Sequence, residues 1–171
     1  QSVTMTVDGK EMLVQGSGTA WQGRLVTDQT IQEGNLNISV VLTDLAGNTS
    51  SSYTGTTDSS KVVFDKTPPS GNLEKLFSEW NSNDNRTQAR LTLSASDNTS
   101  SDQSKVKGWL IKDNDNTTPS LSDNWTSVSP GSVLSDNTTF ALNQTSGSRV
   151  LYAWYRDRAG NISSVATLEM H

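Results

Sequence analysis

Carboxylates are the most numerous reactive side chains of this 171-residue chain, which has 18 Asp and Glu and 13 Lys and Arg. There is no cysteine, and the single histidine is the last residue, His171. Thiol nucleophiles, disulfides and Cys-based zinc sites are thereby excluded. A Ser–His–Asp triad would have to use a chain terminus, which is usually frayed. Because most Asp residues fall in predicted turns, where a carboxylate is solvated, the sequence predicts a protein that is not an enzyme.

Oxygen-rich segments leave calcium binding open. Residues 113–116 read Asp-Asn-Asp-Asn, and Asp97-Asn98 is followed by Asp102. Asp44 and Asp65 are a further candidate pair, because they flank the predicted domain junction. Calcium takes about six to eight oxygen ligands, and no segment matches the twelve-residue calcium loop with its closing Glu. Solvated turns are the alternative in each case, so we predict no cofactor, with calcium as the one exception to test.

The charge and hydropathy patterns exclude two classes of partner. The net charge is −5, and no cluster of Lys and Arg offers the basic patch that a nucleic-acid-binding protein needs. No apolar run approaches the roughly 20 residues required to cross a bilayer. We therefore predict neither a nucleic-acid partner nor a membrane span.

One short motif occurs twice. Residues 44–51 read Asp-Leu-Ala-Gly-Asn-Thr-Ser-Ser, and residues 157–164 read Asp-Arg-Ala-Gly-Asn-Ile-Ser-Ser. We expect each copy to form a tight turn in which the Asp accepts backbone N–H groups, the Gly takes a positive φ and the Asn tolerates the left-handed region. The predicted structural turn residues are Asp44, Gly47, Asn48, Asp157, Gly160 and Asn161.

Alternating apolar residues predict the elements that hold these turns. Residues 3–7 alternate and run into Asp8-Gly9, a strong hairpin signal, and residues 36–43 form the cleanest predicted strand. In the second half, the strands predicted most clearly span residues 89–95, 105–112, 149–156 and 162–169. Turn signals every 8–12 residues and the lack of a helical period predict an all-β protein. The second half supplies seven strands, which is typical of a β-sandwich, and the first half about five.

A proline pair marks the predicted domain boundary. Pro68 and Pro69 follow a short strand at residues 61–65, and proline cannot donate to a β-ladder. We place a semi-rigid linker at residues 66–71, between a domain at 1–67 and a domain at 68–171.

Aromatic residues suggest one binding surface. By comparison with residues 38–42, Leu151, Ala153 and Tyr155 should face the core, which leaves Tyr152 and Trp154 on the opposite face. Together with Trp109 they would form a surface that could stack on a sugar ring or on a neighbouring subunit. The alternative is that a loop covers this face.

The two Asp-x-Ala-Gly-Asn motifs, with Asp-Lys-Thr-Pro-Pro at residues 65–69 between them, resemble the tandem bacterial Ig-like repeats of large extracellular adhesins and surface proteins. The resemblance covers most of residues 36–171 and is specific at the turns. It implies two Ig-like antiparallel β-sandwiches in tandem, a place at the cell surface, and neighbouring domains or subunits of the same protein as partners. It implies no ligand, because such modules host many functions.

The first half falls short of the seven strands of these repeats. Either two strands ahead of residue 3 belong to a longer protein, or a neighbouring chain donates a strand as in some pili, or this half is a smaller variant that folds alone. We therefore expect a structural spacer of an adhesin or surface fibre. The alternatives are a filament subunit assembled by donor-strand complementation and a carbohydrate-binding accessory module that contacts host or surface glycans.

Overall fold

The computed structural model describes residues 1–27, 30–76, 88–97, 105–142 and 148–170. Every regular element in these ranges is a β-strand, and every strand pairing is antiparallel, which confirms the predicted all-β class. Over the same residues, no helix meets the length and apolarity that a bilayer crossing requires. The chain divides into two compact units, Gln1–Phe64 and Asp65–His171.

The first unit contains seven described strands rather than the five predicted. Three of them are only two or three residues long, and the predicted strand 36–43 is divided between two of the seven. They form three small sheets, ordered β2-β1-β6, β3-β4 and β5-β7. The strands are β1 (Ser2–Val7), β2 (Lys10–Glu11), β3 (Leu13–Ser17), β4 (Ala20–Arg24), β5 (Gly34–Leu36), β6 (Ile38–Thr43) and β7 (Val62–Phe64).

The predicted hairpin at Asp8-Gly9 is present, and both residues have positive φ, 47° and 78°. This geometry suits a two-residue connection between twisted strands. Asp8 also bonds to Asn37, whose backbone and side-chain N–H groups both donate to Asp8 Oδ1 at 2.9 Å. The predicted continuous strand 36–43 is therefore wrong: it breaks at Asn37, so that β5 pairs with β7 while β6 pairs with β1.

The second unit is a sandwich of a four-stranded and a three-stranded sheet, ordered β11-β10-β13-β14 and β12-β9-β8. This three-plus-four division differs from the constant-type immunoglobulin arrangement, because the fourth strand pairs with the third in one sheet. The strands are β8 (Ser70–Lys75), β9 (Gln88–Ser96), β10 (Val106–Asp113), β11 (Thr126–Gly131), β12 (Val133–Ala141), β13 (Arg149–Asp157) and β14 (Ala166–Met170).

The core of the second unit lies between its two sheets. Leu91 and Leu93 of β9 are fully buried on one side, and Leu151, Ala153 and Tyr155 of β13 are fully buried on the other. The predicted register of β13 is therefore confirmed. In both β9 and β13 the residues that point into this layer are alternate ones, as expected for β-strands.

The residues of the predicted linker, 66–71, fall within the second unit. The second unit begins at Asp65, and β8 begins at Ser70, so residues 70 and 71 belong to a strand. Pro69 is buried, whereas Pro68 is exposed. The proline pair thus lies directly before the first strand of the second unit. Prolines are tolerated there because a residue outside the strand does not have to donate an N–H to a β-ladder.

Candidate functional site

The first copy of the repeated motif forms a turn closed by one carboxylate. Asp44 Oδ1 accepts the backbone N–H groups of Ala46 and Asn48 at 2.9 and 2.8 Å, and Oδ2 accepts the Asn48 side-chain amide at 2.9 Å. Gly47 has a φ of 89°. A residue with a Cβ would be strained in this conformation, which explains the glycine.

The second copy forms a closely similar turn, in which the glycine N–H takes the place of the alanine N–H as a donor to Oδ1. Asp157 Oδ1 accepts the backbone N–H groups of Gly160 and Asn161 at 2.7 and 2.8 Å, and Oδ2 accepts the Asn161 side-chain amide at 2.8 Å. Gly160 has a φ of 97°. The asparagines have a different role from the one predicted. Among the described residues, the non-glycine positions with positive φ are Asp8, Ser59 and Asn114, so Asn48 and Asn161 act through their side-chain amides.

The likeness extends to the serine six residues after each Asp. The Ser50 backbone N–H donates to the Leu42 carbonyl, and the Leu42 N–H donates to Ser50 Oγ. Ser163 makes the same reciprocal pair with Tyr155. In both copies the serine hydroxyl then donates to the carbonyl of the next residue. The two units thus end a strand with closely similar networks of side-chain and backbone hydrogen bonds.

The two copies differ in burial, and as a result the carboxyl pKa is lowered in the first copy and raised in the second. Asp44 is exposed, and the hydrogen bonds from Asn48 and its neighbours lower the pKa of its carboxyl below 3.8. Asp157 is 1% exposed. Burial raises the pKa of Asp157 above 3.8, and the negative charge of Asp65 raises it further, against the lowering effect of the turn's hydrogen bonds.

Asp157 belongs to a group of three carboxylates at one end of the second unit. Asp65 lies in the entry segment before β8, Asp97 follows the last residue of β9, and Asp157 is the last residue of β13. One carboxylate oxygen from each lies within 4.8 Å of the other two. Asn161 connects two of the three, because its side-chain amide also donates to the Asp65 carbonyl at 3.2 Å. We call Asp65, Asp97 and Asp157 the carboxylate cluster.

The oxygen-rich loop at residues 113–116 is occupied by other interactions. Asp113 pairs with Arg149 at 2.8 Å, and both side chains are buried. Asp115 accepts the Thr117 N–H at 2.9 Å and lies 3.5 Å from the Lys112 ammonium. These contacts use Asp113 Oδ2 and both carboxylate oxygens of Asp115, which favours the alternative of a turn over a calcium site.

The other two predicted calcium groupings have different outcomes. Asn98 and Asp102 lie outside the described residues. The pairing of Asp44 with Asp65 joins residues of the two separate units and stays a prediction. Asp65 and Asp97, which the sequence placed in different candidate sites, meet in the carboxylate cluster.

The predicted aromatic surface needs two corrections. Trp154 is 1% exposed, because Trp125 and Leu110 pack with it in a second small core on the outer face of the sheet, together with Tyr152. The Trp125 indole N–H donates to the Ser120 carbonyl at 2.8 Å, which anchors the loop that covers this face.

Trp109 lies on the other side of the sheet. It pairs with Tyr155 and packs against the main core. The cause is a β-bulge between Val106 and Gly108, which shifts the alternation of β10 by one residue. Of the three predicted residues, Tyr152 remains partly exposed, stacked on Trp154 with 6.3 Å between ring centroids.

No protein-family model matches this chain, and no curated protein is significantly similar to it in sequence.

Proposed function

We propose that this chain is a non-catalytic structural segment, two β-sandwich units that act as a spacer in a bacterial extracellular adhesin or surface fibre. The observation that carries the proposal is the repeated turn. Asp44 and Asp157 accept equivalent hydrogen bonds, and Ser50 and Ser163 make equivalent contacts to their strands. Two units built around the same strand ending are typical of proteins assembled from repeated domains.

The surface composition supports a role in extension. Ser and Thr contribute 47 residues, and only 32% of the chain is hydrophobic. The outward positions of β9 are Arg90, Thr92 and Ser94, opposite a fully apolar inner face. Such an exterior, with a net charge of −5, keeps a segment soluble and limits non-specific association.

The buried carboxylates support a structural role over a catalytic one. Asp157 is held by three hydrogen bonds from its own turn, and Asp113 by an ion pair with Arg149. The chain has no cysteine, so neither carboxylate has a thiol to activate, and its one histidine is the last residue.

A filament subunit is the second candidate, and the sparse core of the first unit favours it. Among the twenty buried apolar side chains of the described residues, this unit supplies Val3, Val7 and Ile31. Large apolar side chains remain exposed in it, including Leu13 and Leu45 at 68% and 92%. A strand donated by a neighbouring chain would cover such a surface.

The carbohydrate-binding alternative is less well supported. It requires an open aromatic platform, and Trp154 is buried in one cluster with Trp125 while Trp109 packs against the main core. Of the three predicted residues, Tyr152 is the one that remains partly exposed, and its contact area is small.

Stretching single molecules from their two termini tests the spacer proposal. A load-bearing segment should unfold in two separate force peaks, one for each unit. The 64 residues of the first unit and the 107 of the second limit the length gained to about 22 nm and about 37 nm. The attachment handles without the chain are the control. Extension of both units without a force peak would contradict the proposal.

A further inference from the structure

The carboxylate cluster places three acidic side chains close together at the end of a β-sandwich. They come from three separate elements, and one oxygen of each lies within 4.8 Å of the others. Asp65 and Asp157 are 8% and 1% exposed, so bulk water screens their repulsion poorly. Carboxylates in this arrangement are stable together when they are protonated or when a cation lies between them.

Asp65 gives an independent indication of a missing ligand. Its Oδ1 accepts the Thr67 backbone N–H at 3.1 Å. Its Oδ2 is buried, and no hydrogen-bond donor among the described residues reaches it. A buried carboxylate oxygen without a partner is costly, and such atoms are rare in folded proteins. The unsatisfied oxygen belongs to the same carboxylate that the cluster holds beside Asp157.

The dimensions match a calcium ion. Calcium binds oxygen at about 2.3–2.6 Å, so two of its ligand oxygens are separated by at most about 4.6–5.2 Å. The three carboxylates meet this limit. Magnesium binds at about 2.0–2.1 Å and demands near-octahedral geometry, so it tolerates a narrower range of ligand positions.

The turn holds the ligands in place in advance. The Gly160 and Asn161 N–H groups and the Asn161 amide orient the Asp157 carboxylate. The same amide bonds to the Asp65 carbonyl, so it fixes the entry segment against the turn. Supporting hydrogen bonds of this kind orient the ligands of established metal sites.

We propose that Asp65, Asp97 and Asp157 bind one calcium ion, which joins the entry segment of the second unit to the ends of β9 and β13. This proposal does not depend on the spacer function. The competing arrangement is neutralisation by a basic side chain, since Lys66 and Arg158 directly follow two of the aspartates in sequence.

Thermal unfolding of the full chain in CaCl2 and in EDTA tests the site. Extracellular calcium modules bind with dissociation constants of about 10⁻⁴–10⁻³ M, so 10 mM calcium should raise the midpoint of the second unit by about 5–15 °C. MgCl2 at the same concentration should give a smaller rise. Calorimetric titration should show one calcium ion per chain.

Two variants distinguish this site from others. Asp65→Asn and Asp97→Asn should weaken calcium binding at least tenfold, whereas Asp115→Asn, in the exposed loop, should leave it unchanged. In EDTA, Asp65→Asn should unfold at the same or a higher temperature than the parent, because it removes a negative charge from the cluster.

Three results would overturn the proposal. An unchanged midpoint in calcium would indicate that a basic side chain neutralises the cluster. A calcium response that both cluster variants retain and Asp115→Asn abolishes would place the ion in the loop. A loss of stability in EDTA for Asp65→Asn would show that its carboxylate is satisfied without metal.

Discussion

Asp44 and Asp157 occupy the same position of the same turn, yet their carboxyl pKa values move in opposite directions. Both accept backbone and side-chain N–H groups, which lower the pKa. For Asp157 the burial at the end of the sandwich outweighs these bonds. The same local motif thus has different chemistry in the two units, and the difference comes from what surrounds it.

Replacing Asn48 tests the electrostatics of the exposed copy. The side chain of Asn48 is the largest cause of the lowered pKa of Asp44, so Asn48→Ala should raise that pKa toward 3.8. Because the folded pKa lies below the unfolded value, the turn contributes stability above pH 3.8 and loses it as the pH falls through the folded pKa. Carboxyl NMR titration measures the shift.

Asp58 is the internal control for this titration. Its pKa is also lowered, chiefly by hydrogen bonds from Ser60, and it is equally exposed. Asn48→Ala should leave it unchanged. Equal movement of Asp44 and Asp58, or none in Asp44, would contradict the assigned role of the Asn48 amide.

At the scale of single residues, the sequence predicts the repeated turn but not the carboxylate cluster. Asp at the first position and Gly at the fourth determine the turn locally, so both copies could be recognised without a fold. The grouping of Asp65, Asp97 and Asp157 depends on which strand ends meet. The available signal was that each Asp lies at or just after the end of an apolar strand, which is too common a pattern to select these three.

The elements show where periodicity is informative. The alternation of β9 predicts which residues face the core, because this strand is long and has one buried face. In β13, whose outer face is covered around Trp154, the core residues follow from the comparison with residues 38–42. The bulge in β10 and the break at Asn37 were not predicted. A bulge changes the face of every later residue without changing composition, and the break is caused by a hydrogen bond to Asp8, distant in sequence.

Gly71 in β8 tests the close approach of the two sheets. A Cβ at this position would overlap the Tyr155 ring and lie 2.8 Å from the Ser94 carbonyl oxygen. Intrinsic preference alone favours Ala over Gly in a strand by about 0.5–1 kcal/mol. We expect the opposite sign here: Gly71→Ala should lower the free energy of unfolding of the second unit by about 1–3 kcal/mol.

Ser70→Ala is the matched control, since Ser70 is the exposed neighbour in the same strand. Its effect should stay within about 0.5 kcal/mol. Chemical denaturation of both variants gives the comparison. A Gly71→Ala variant as stable as the parent would mean that Tyr155 does not pack over this glycine.

Taken whole, the molecule consists of two units whose buried cores differ in size among the described residues. The second has one continuous core between two sheets, and the first has three small sheets and three buried apolar side chains among its described residues. Domains of about 60 residues are marginal on their own, so the first unit should unfold before the second. The number of predicted strands, five against seven, does not account for this difference, because the structure describes seven strands in each unit.

The solution mass of the purified chain tests the central claim most directly. Light scattering behind a sizing column measures this mass. It distinguishes a spacer, whose units fold within one chain, from a filament subunit, which needs a strand from its neighbour. The spacer proposal predicts a monomer of 18.5 kDa at every concentration. Polymers that persist on dilution would contradict it and would favour the filament subunit.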